Sequence, residues 1–123
     1  MADLVYPELS YKVIGLCFEC YNKLGYGYQE KYYQRAFSQL LKRDKFLFKR
    51  EQKHVIRFEG GIIGRYFIDF VIDNKIVIEF KVAEQFHNTF RTQVLGYLKA
   101  TSLKLGILIL ITKDGIEYKR YVN

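Results

Sequence analysis

The sequence has no tryptophan, one proline, two cysteines and two histidines in 123 residues. With so few cysteines no disulfide framework is available to replace a core. His54 and His87 are too few and too far apart in sequence to form a zinc cluster or a catalytic dyad. Pro7 is the sole proline, and there is no Ser-rich, Gly-rich or like-charge tract and no internal repeat. No linker is therefore visible, and residues 1–123 read as one domain. The N-terminus lacks a basic-then-apolar leader, and no apolar run approaches the roughly 20 residues of a membrane span. The expectation is a cytoplasmic protein with no membrane partner.

Cys17 and Cys20 do form a lone C-x-x-C, but Leu9, Val13, Leu16, Cys17, Cys20 and Leu24 make one apolar stripe at helical spacing. That places both thiols mid-helix against a core. A zinc site would want a second ligand pair, and a redox motif a helix N-terminus after a strand. Gly60-Gly61 reads as a hairpin turn and lacks the Lys-Ser/Thr ending of a phosphate loop.

Half the residues are apolar, enough for one good core at this length. The formal net charge of +7 points to a polyanionic partner, nucleic acid above all, because lysines and arginines placed near phosphates release counterions. Candidate phosphate contacts are Lys42, Arg43, Lys45, Lys49, Arg50, Lys53 and Arg57, interleaved with Phe46 and Phe48. Along a strand, Lys49, Glu51, Lys53, Val55 and Arg57 share one face, so part of this set can equally be a solvated cationic stripe.

Against this basic background, Asp69 and Glu79-Phe80-Lys81 stand out. They interrupt two nearly continuous apolar runs, Tyr66 to Ile72 and Lys75 to Val82, of the kind that forms strands covered on both faces. Glu79 and Lys81 share a face with Val77; Ile76, Ile78 and Phe80 point the other way. A three-residue Asp73-Asn74-Lys75 connection, or a bulge, pairs Ile72 with Ile76 and sets Asp69 opposite Glu79; a two-residue loop would turn the two carboxylates to opposite faces. Carboxylates 4 Å apart repel by about 4 kcal/mol at an effective dielectric near 20. Protonation, Lys81 or a hard divalent cation must offset that, and the cation together with Lys81 is the expectation. Glu-x-Lys on a strand is often only a solvated ion pair, but the apolar surroundings and the upstream Asp weigh against that here.

Two helices can complete a site. Tyr28 to Arg43 carries Tyr33, Ala36, Phe37, Leu40 and Leu41 inward, with Glu30 on the same side as a third candidate carboxylate. Gln93 falls on the Phe90 and Tyr97 side of a helix from Phe86 to Ala100, where its amide can reach a metal or a phosphate. The element order is helix (Pro7 to Lys23), helix (Tyr28 to Arg43), strands (Phe46 to Phe58, Gly64 to Ile72, Lys75 to Val82), helix (Phe86 to Ala100), and strands (Leu105 to Ile111, Ile116 to Tyr121). The strand–helix–strand unit around Gln93 should make its two strands parallel.

Gly27-Tyr28-Gln29-Glu30-Lys31-Tyr32-Tyr33 resembles the G-x-x-E-x-x-Y signature of the small bacterial GxxExxY proteins, of the PD-(D/E)XK nuclease-like superfamily. The resemblance extends through Leu24-Gly25, Glu51-Gln52, Gly64 to Asp69, Ile78 to Lys81, Gln93 to Thr101 and Gly106 to Ile109. Tyr26 stands where proline is common, Ile68 replaces the proline of the superfamily's name, and Leu110-Ile111-Thr112 replaces an Asn-Phe-Gly. The resemblance implies an α/β, restriction-endonuclease-like core with a central mixed β-sheet flanked by helices. It also implies a Mg²⁺- or Mn²⁺-dependent nuclease, acting on DNA in preference to RNA. Asp69, Glu79, the Phe80 carbonyl and Glu30 would hold the metal, with Lys81 and Gln93 completing the catalytic set. The alternatives are an inactive nucleic-acid-binding module of the same fold and a protein-interaction scaffold. With no separate recognition domain, tight sequence specificity would require two copies to pair, which leaves a homodimer open.

Overall fold

The structure, a computed structural model, describes residues 4–123; the first three residues of the expected domain lie outside the described residues. Helix α1 (Pro7–Leu24) begins with proline at its first turn, where a missing N–H costs nothing, and stops at Gly25, whose φ of 77° lets the chain turn away. Helix α2 (Glu30–Arg43) follows, then β1 (Phe48–Phe58), β2 (Gly61–Ile72), β3 (Ile76–Val82), α3 (Asn88–Thr101), β4 (Leu105–Thr112) and β5 (Gly115–Val122). The five strands form one sheet in chain order. All neighbours are antiparallel except β3 and β4, which the α3 crossover makes parallel, as expected.

The sheet lies between two helical layers. Val13, Leu16, Cys17 and Cys20 of α1 and Tyr33, Phe37 and Leu41 of α2 cover Phe70, Ile72, Ile76, Ile78, Phe80, Ile107 and Ile109 on one face. Phe37 is at the centre, edge-on to Phe70 at 4.9 Å and to Phe80 at 5.2 Å. The cysteines are buried free thiols, and burial raises the pKa of both, as suits core residues. On the other face, Tyr97 and Leu98 of α3 cover Ile68, Val71 and Val77. Gly106 lets this helix come close: a Cβ there would meet Val94 Cγ1 at 2.5 Å.

The β2–β3 connection has the length required to oppose the two carboxylates. Lys75 N–H donates to the Ile72 carbonyl at 2.9 Å across Asp73 and Asn74, both left-handed, and Lys75 is the extra residue before Ile72 pairs with Ile76. The β1–β2 turn departs from expectation. Glu59 and Gly60 take the left-handed conformations, so Phe58 pairs with Gly61 and β2 starts three residues before Gly64. This strand is long enough that Gly61 to Asp69 lie beyond its pairing with β3, and the β1–β2 hairpin projects from the sheet.

Replacing Gly106 with alanine should drive α3 off the sheet and cost about 1–3 kcal/mol, as overpacking does. Urea denaturation measures this directly; an unchanged midpoint would show that α3 is not held by that close approach.

Candidate nuclease site

At the point where β2 and β3 part, Phe70 still pairs with Ile78, but one step further two side chains replace the ladder. Asp69 N–H donates to Glu79 Oε1 at 2.9 Å, and Phe80 N–H donates to Asp69 Oδ2 at 3.0 Å. Each carboxylate thus satisfies a backbone donor of, or next to, the other acid, and the two side chains are locked into one gap. Glu79 is 2 % exposed. The sequence places Asp69 opposite Glu79, and the structure brings them together, but through cross-bonding rather than simple facing.

The backbone explains why the gap opens here. Strict alternation would put Ile68 and Phe70 on one face, yet Ile68 packs under α3 and Phe70 under α2. On β1, Phe48 packs with Phe70, whereas His54 stacks on Tyr66 of the α3 side, again with a break in parity. Glu51, between them, has a φ of 50°. Both strands of the hairpin therefore switch faces near Glu51 and Asp69, which turns Asp69 toward β3.

Glu30 joins the pair from the first turn of α2. Its approach is fixed by the preceding loop, where Gly27 has a φ of 120° and the Tyr33 hydroxyl donates to the Gly25 carbonyl at 2.6 Å. Only glycine readily takes that conformation, and the buried tyrosine pins the loop, so Gly27, Glu30 and Tyr33 act as a unit. Gln34 Nε2 lies 3.4 Å from Glu30 Oε2.

All three acids are harder to ionise than usual. Burial pushes Glu79 up to about 9, with the Asp69 charge adding to the shift and the Asp69 N–H opposing it. Burial also raises Asp69, against the opposing effects of Phe80 N–H, Glu79, Lys81 and Arg50. Glu30 is raised by burial and then by Asp69, against Lys81 and the Val82 N–H. The site is short of positive charge. Among the described residues no three His, Cys, Asp or Glu side chains form a ready-made metal cage. Two close carboxylates with further oxygens nearby nonetheless suit a hard divalent ion that keeps several waters, as Mg²⁺ does.

Lys81 sits two residues beyond Glu79, its Nζ 5.5 Å from the centre of the Phe90 ring of α3. Gln93 does not reach the carboxylates directly. The Tyr97 hydroxyl, one helical turn on, bonds the Phe67 carbonyl at 3.4 Å and is made harder to ionise by burial first and then by the Glu79 and Asp69 charges. The sequence offers Tyr97 as a helix position beside Gln93 and Tyr66 as the start of a strand, and gives neither a place at the site; the i, i+4 spacing of Gln93 and Tyr97 is the available signal.

The basic candidates separate. Lys42, Arg43 and Lys45 lie at the end of α2 opposite Glu30, about 20 Å along the helix. Arg43 is engaged there by Glu19 at 2.6 and 3.0 Å and by Asp44 at 2.8 Å. Lys49, Lys53 and Arg57 are exposed along edge strand β1, but the break in alternation at Glu51 puts Lys49 on the opposite face from Lys53, so they do not form the single stripe expected; Arg65, opposite Val55, lies on the Lys53 side. Arg50 lies closer to the acids: its charge holds Asp69 down, it rests 5.3 Å from the Phe70 ring, and its buried Nε has no hydrogen-bond partner.

Because Glu79 titrates above its unfolded value of 4.5, the metal-free fold is favoured by a proton there. That contribution is complete below about 4.5 and is lost as pH rises toward 9. Glu79→Gln keeps the acceptor for Asp69 N–H without the charge. In chelator at pH 8 it should stabilise the protein by roughly 1–3 kcal/mol, with the gain shrinking toward pH 5. Thermal melts at the two pH values check this, and a destabilised variant at pH 8 would contradict it.

Residues 7–121 match the family model of the PD-(D/E)XK nuclease superfamily. A solved crystal structure, that of SSO0001, is similar at a TM-score of 0.52 and 24 % identity, over 73 % of this chain and 48 % of that one. The chain thus spans about half the length of that structure, and the likeness is one of fold. No curated protein matches the chain. Among the described residues no helix is long and apolar enough to cross a membrane. With the mixed sheet, the flanking helices and a family match across nearly the whole length, the chain belongs to the PD-(D/E)XK nuclease superfamily.

Proposed function

We propose that this protein is a divalent-metal-dependent nuclease of the GxxExxY type that hydrolyses phosphodiester bonds of nucleic acid, DNA in preference to RNA. The observation that carries the reading is the cross-bonded Asp69–Glu79 pair, buried beside Lys81 and Glu30 and deficient in positive charge. Asp69, Glu79 and the Phe80 carbonyl would hold Mg²⁺ or Mn²⁺, with Glu30 bound through water. A metal there would polarise the phosphate and acidify a water.

The chain's own residues do the rest. Lys81 orients the attacking water or stabilises charge on the phosphorane-like transition state. Arg50, whose charge lowers the Asp69 pKa, adds positive charge on the β1 side of the site. Gln93, beside Tyr97 at the α3 side, positions Lys81 or the phosphate. Exposed Lys49, Lys53, Arg57 and Arg65 on the β1–β2 hairpin supply the phosphate contacts that position the strand. The buried free thiols suit a reducing, cytoplasmic setting. Tight sequence preference would require two copies to pair.

One observation favours a second reading. Among the described residues the acids do not form a ready-made cage, as a binding module with a vestigial site would allow. That module would show salt-sensitive binding without turnover. Incubation with plasmid, single-stranded DNA and RNA, with Mg²⁺, Mn²⁺ or chelator, separates the two readings. Metal-dependent cleavage should fall at least about a hundredfold in Asp69→Asn and in Lys81→Ala while the circular dichroism spectrum is unchanged. Undiminished cleavage by either variant rejects the assignment.

A further inference from the structure

The sheet has two edges, and they differ. Edge strand β1 takes a positive φ at Glu51, shifts register after Ile56 and carries Lys49, Arg50, Lys53 and Arg57 against the single acid Glu51. A kinked, cation-rich edge resists pairing with its own copy. Edge strand β5 has no proline, its register with β4 is unbroken from Gly115 to Val122, and among the described residues it pairs with β4 alone. Its outer row of N–H and C=O groups is a template for another strand.

The two faces of β5 carry different groups. Ile116, Tyr118 and Arg120 turn toward α1, where Tyr118 meets Phe18 edge-on at 6.4 Å and Arg120 donates to the Ser10 hydroxyl at 2.6 Å. Glu117 and Lys119 are exposed on the other side, with Lys119 Nζ 4.5 Å from the centre of the Phe86 ring. Between α1 and β5 lies a depression of about 560 Å³, lined by Tyr11, Ile14, Gly15 and Phe18 of the helix and Tyr118 of the strand. Tyr11 is 81 % exposed and Tyr118 43 %, and no atom lies within 4 Å of a Cβ built on Gly15, so nothing among the described residues covers this apolar surface.

The charges on the edge select its partner. A two-fold axis between antiparallel copies of one strand sets a single residue opposite itself. Centred on Glu117 or on Lys119, such a pairing opposes like charges. Centred on Tyr118, it sets Glu117 of each copy opposite Lys119 of the other and brings the two Tyr118 rings together on the α1 side. We infer that β5 is where two copies of this chain join, paired antiparallel about Tyr118, so that two five-stranded sheets continue edge to edge and the second copy covers the depression beside α1. The inference goes beyond the nuclease reading and does not depend on it.

Sedimentation velocity of the full chain tests this. The wild type should be a dimer at micromolar concentration. Glu117→Lys and Lys119→Glu each oppose like charges at both symmetry-related positions, and each should weaken the dimer about tenfold or more with an unchanged circular dichroism spectrum. Mixed in equal amounts, the two variants should recover a dimer of wild-type strength, because one copy then carries lysine at both positions and the other glutamate. Lys119→Glu also gives up the Phe86 contact, so recovery on mixing is the result that damage to the fold could not produce. A wild type that stays monomeric overturns the inference, as does a variant that dimerises as tightly as wild type or a mixture that stays monomeric.

Discussion

Two hydrogen bonds between carboxylates and backbone amides govern this molecule. Where β2 and β3 diverge, each strand loses a ladder partner, and a buried N–H left unpaired would cost about 1–3 kcal/mol. Asp69 and Glu79 supply the missing acceptors across the gap. The fold therefore needs an acceptor at each of the two positions, and supplying both as carboxyl groups places two acids where burial makes them hard to ionise. A pair that completes the backbone as carboxyls but is disfavoured when charged is one that a divalent cation relieves.

The rest of the structure serves that gap. Phe80 is anchored in the aromatic cluster with Phe37 and Phe70, so the residues before and after it, Glu79 and Lys81, are held at fixed height above the core. Tyr33 clamps the loop that delivers Glu30. Gly106 lets α3 settle close enough for Gln93 and Tyr97 to flank the acids. The left-handed Glu51 marks where the hairpin turns, so the exposed arm with Lys53, Arg57 and Arg65 leaves the sheet beside the site.

Much of this was legible in the sequence. The order of helices and strands along the chain, the parallel crossover and the opposition of Asp69 to Glu79 followed from apolar runs, a turn signal and counting by two. Counting assumes unbroken alternation, however, and no residue type announced that Glu51 would adopt a positive φ or that the hairpin would switch faces. The β1–β2 turn was misplaced for a related reason: Gly60-Gly61 looked like the turn pair, but Glu59 takes the first left-handed position. Sequence proximity suggested one basic patch, whereas α2 carries Lys42, Arg43 and Lys45 to the end away from Glu30, and of the β1 set Arg50 is the one whose charge acts on Asp69. The meeting of Tyr66 with Tyr97 depends on how α3 docks, which periodicity does not encode.

Burial beside Asp69 favours a proton on Glu79, and a divalent ion bound by the pair must displace it. Calorimetric titration of the protein with Mn²⁺ at pH 7, in buffers of differing ionisation enthalpy, counts the protons released per ion bound. The account predicts one site releasing about one proton, lost in Asp69→Asn. Binding without proton release, or no binding that depends on these carboxylates, would contradict it.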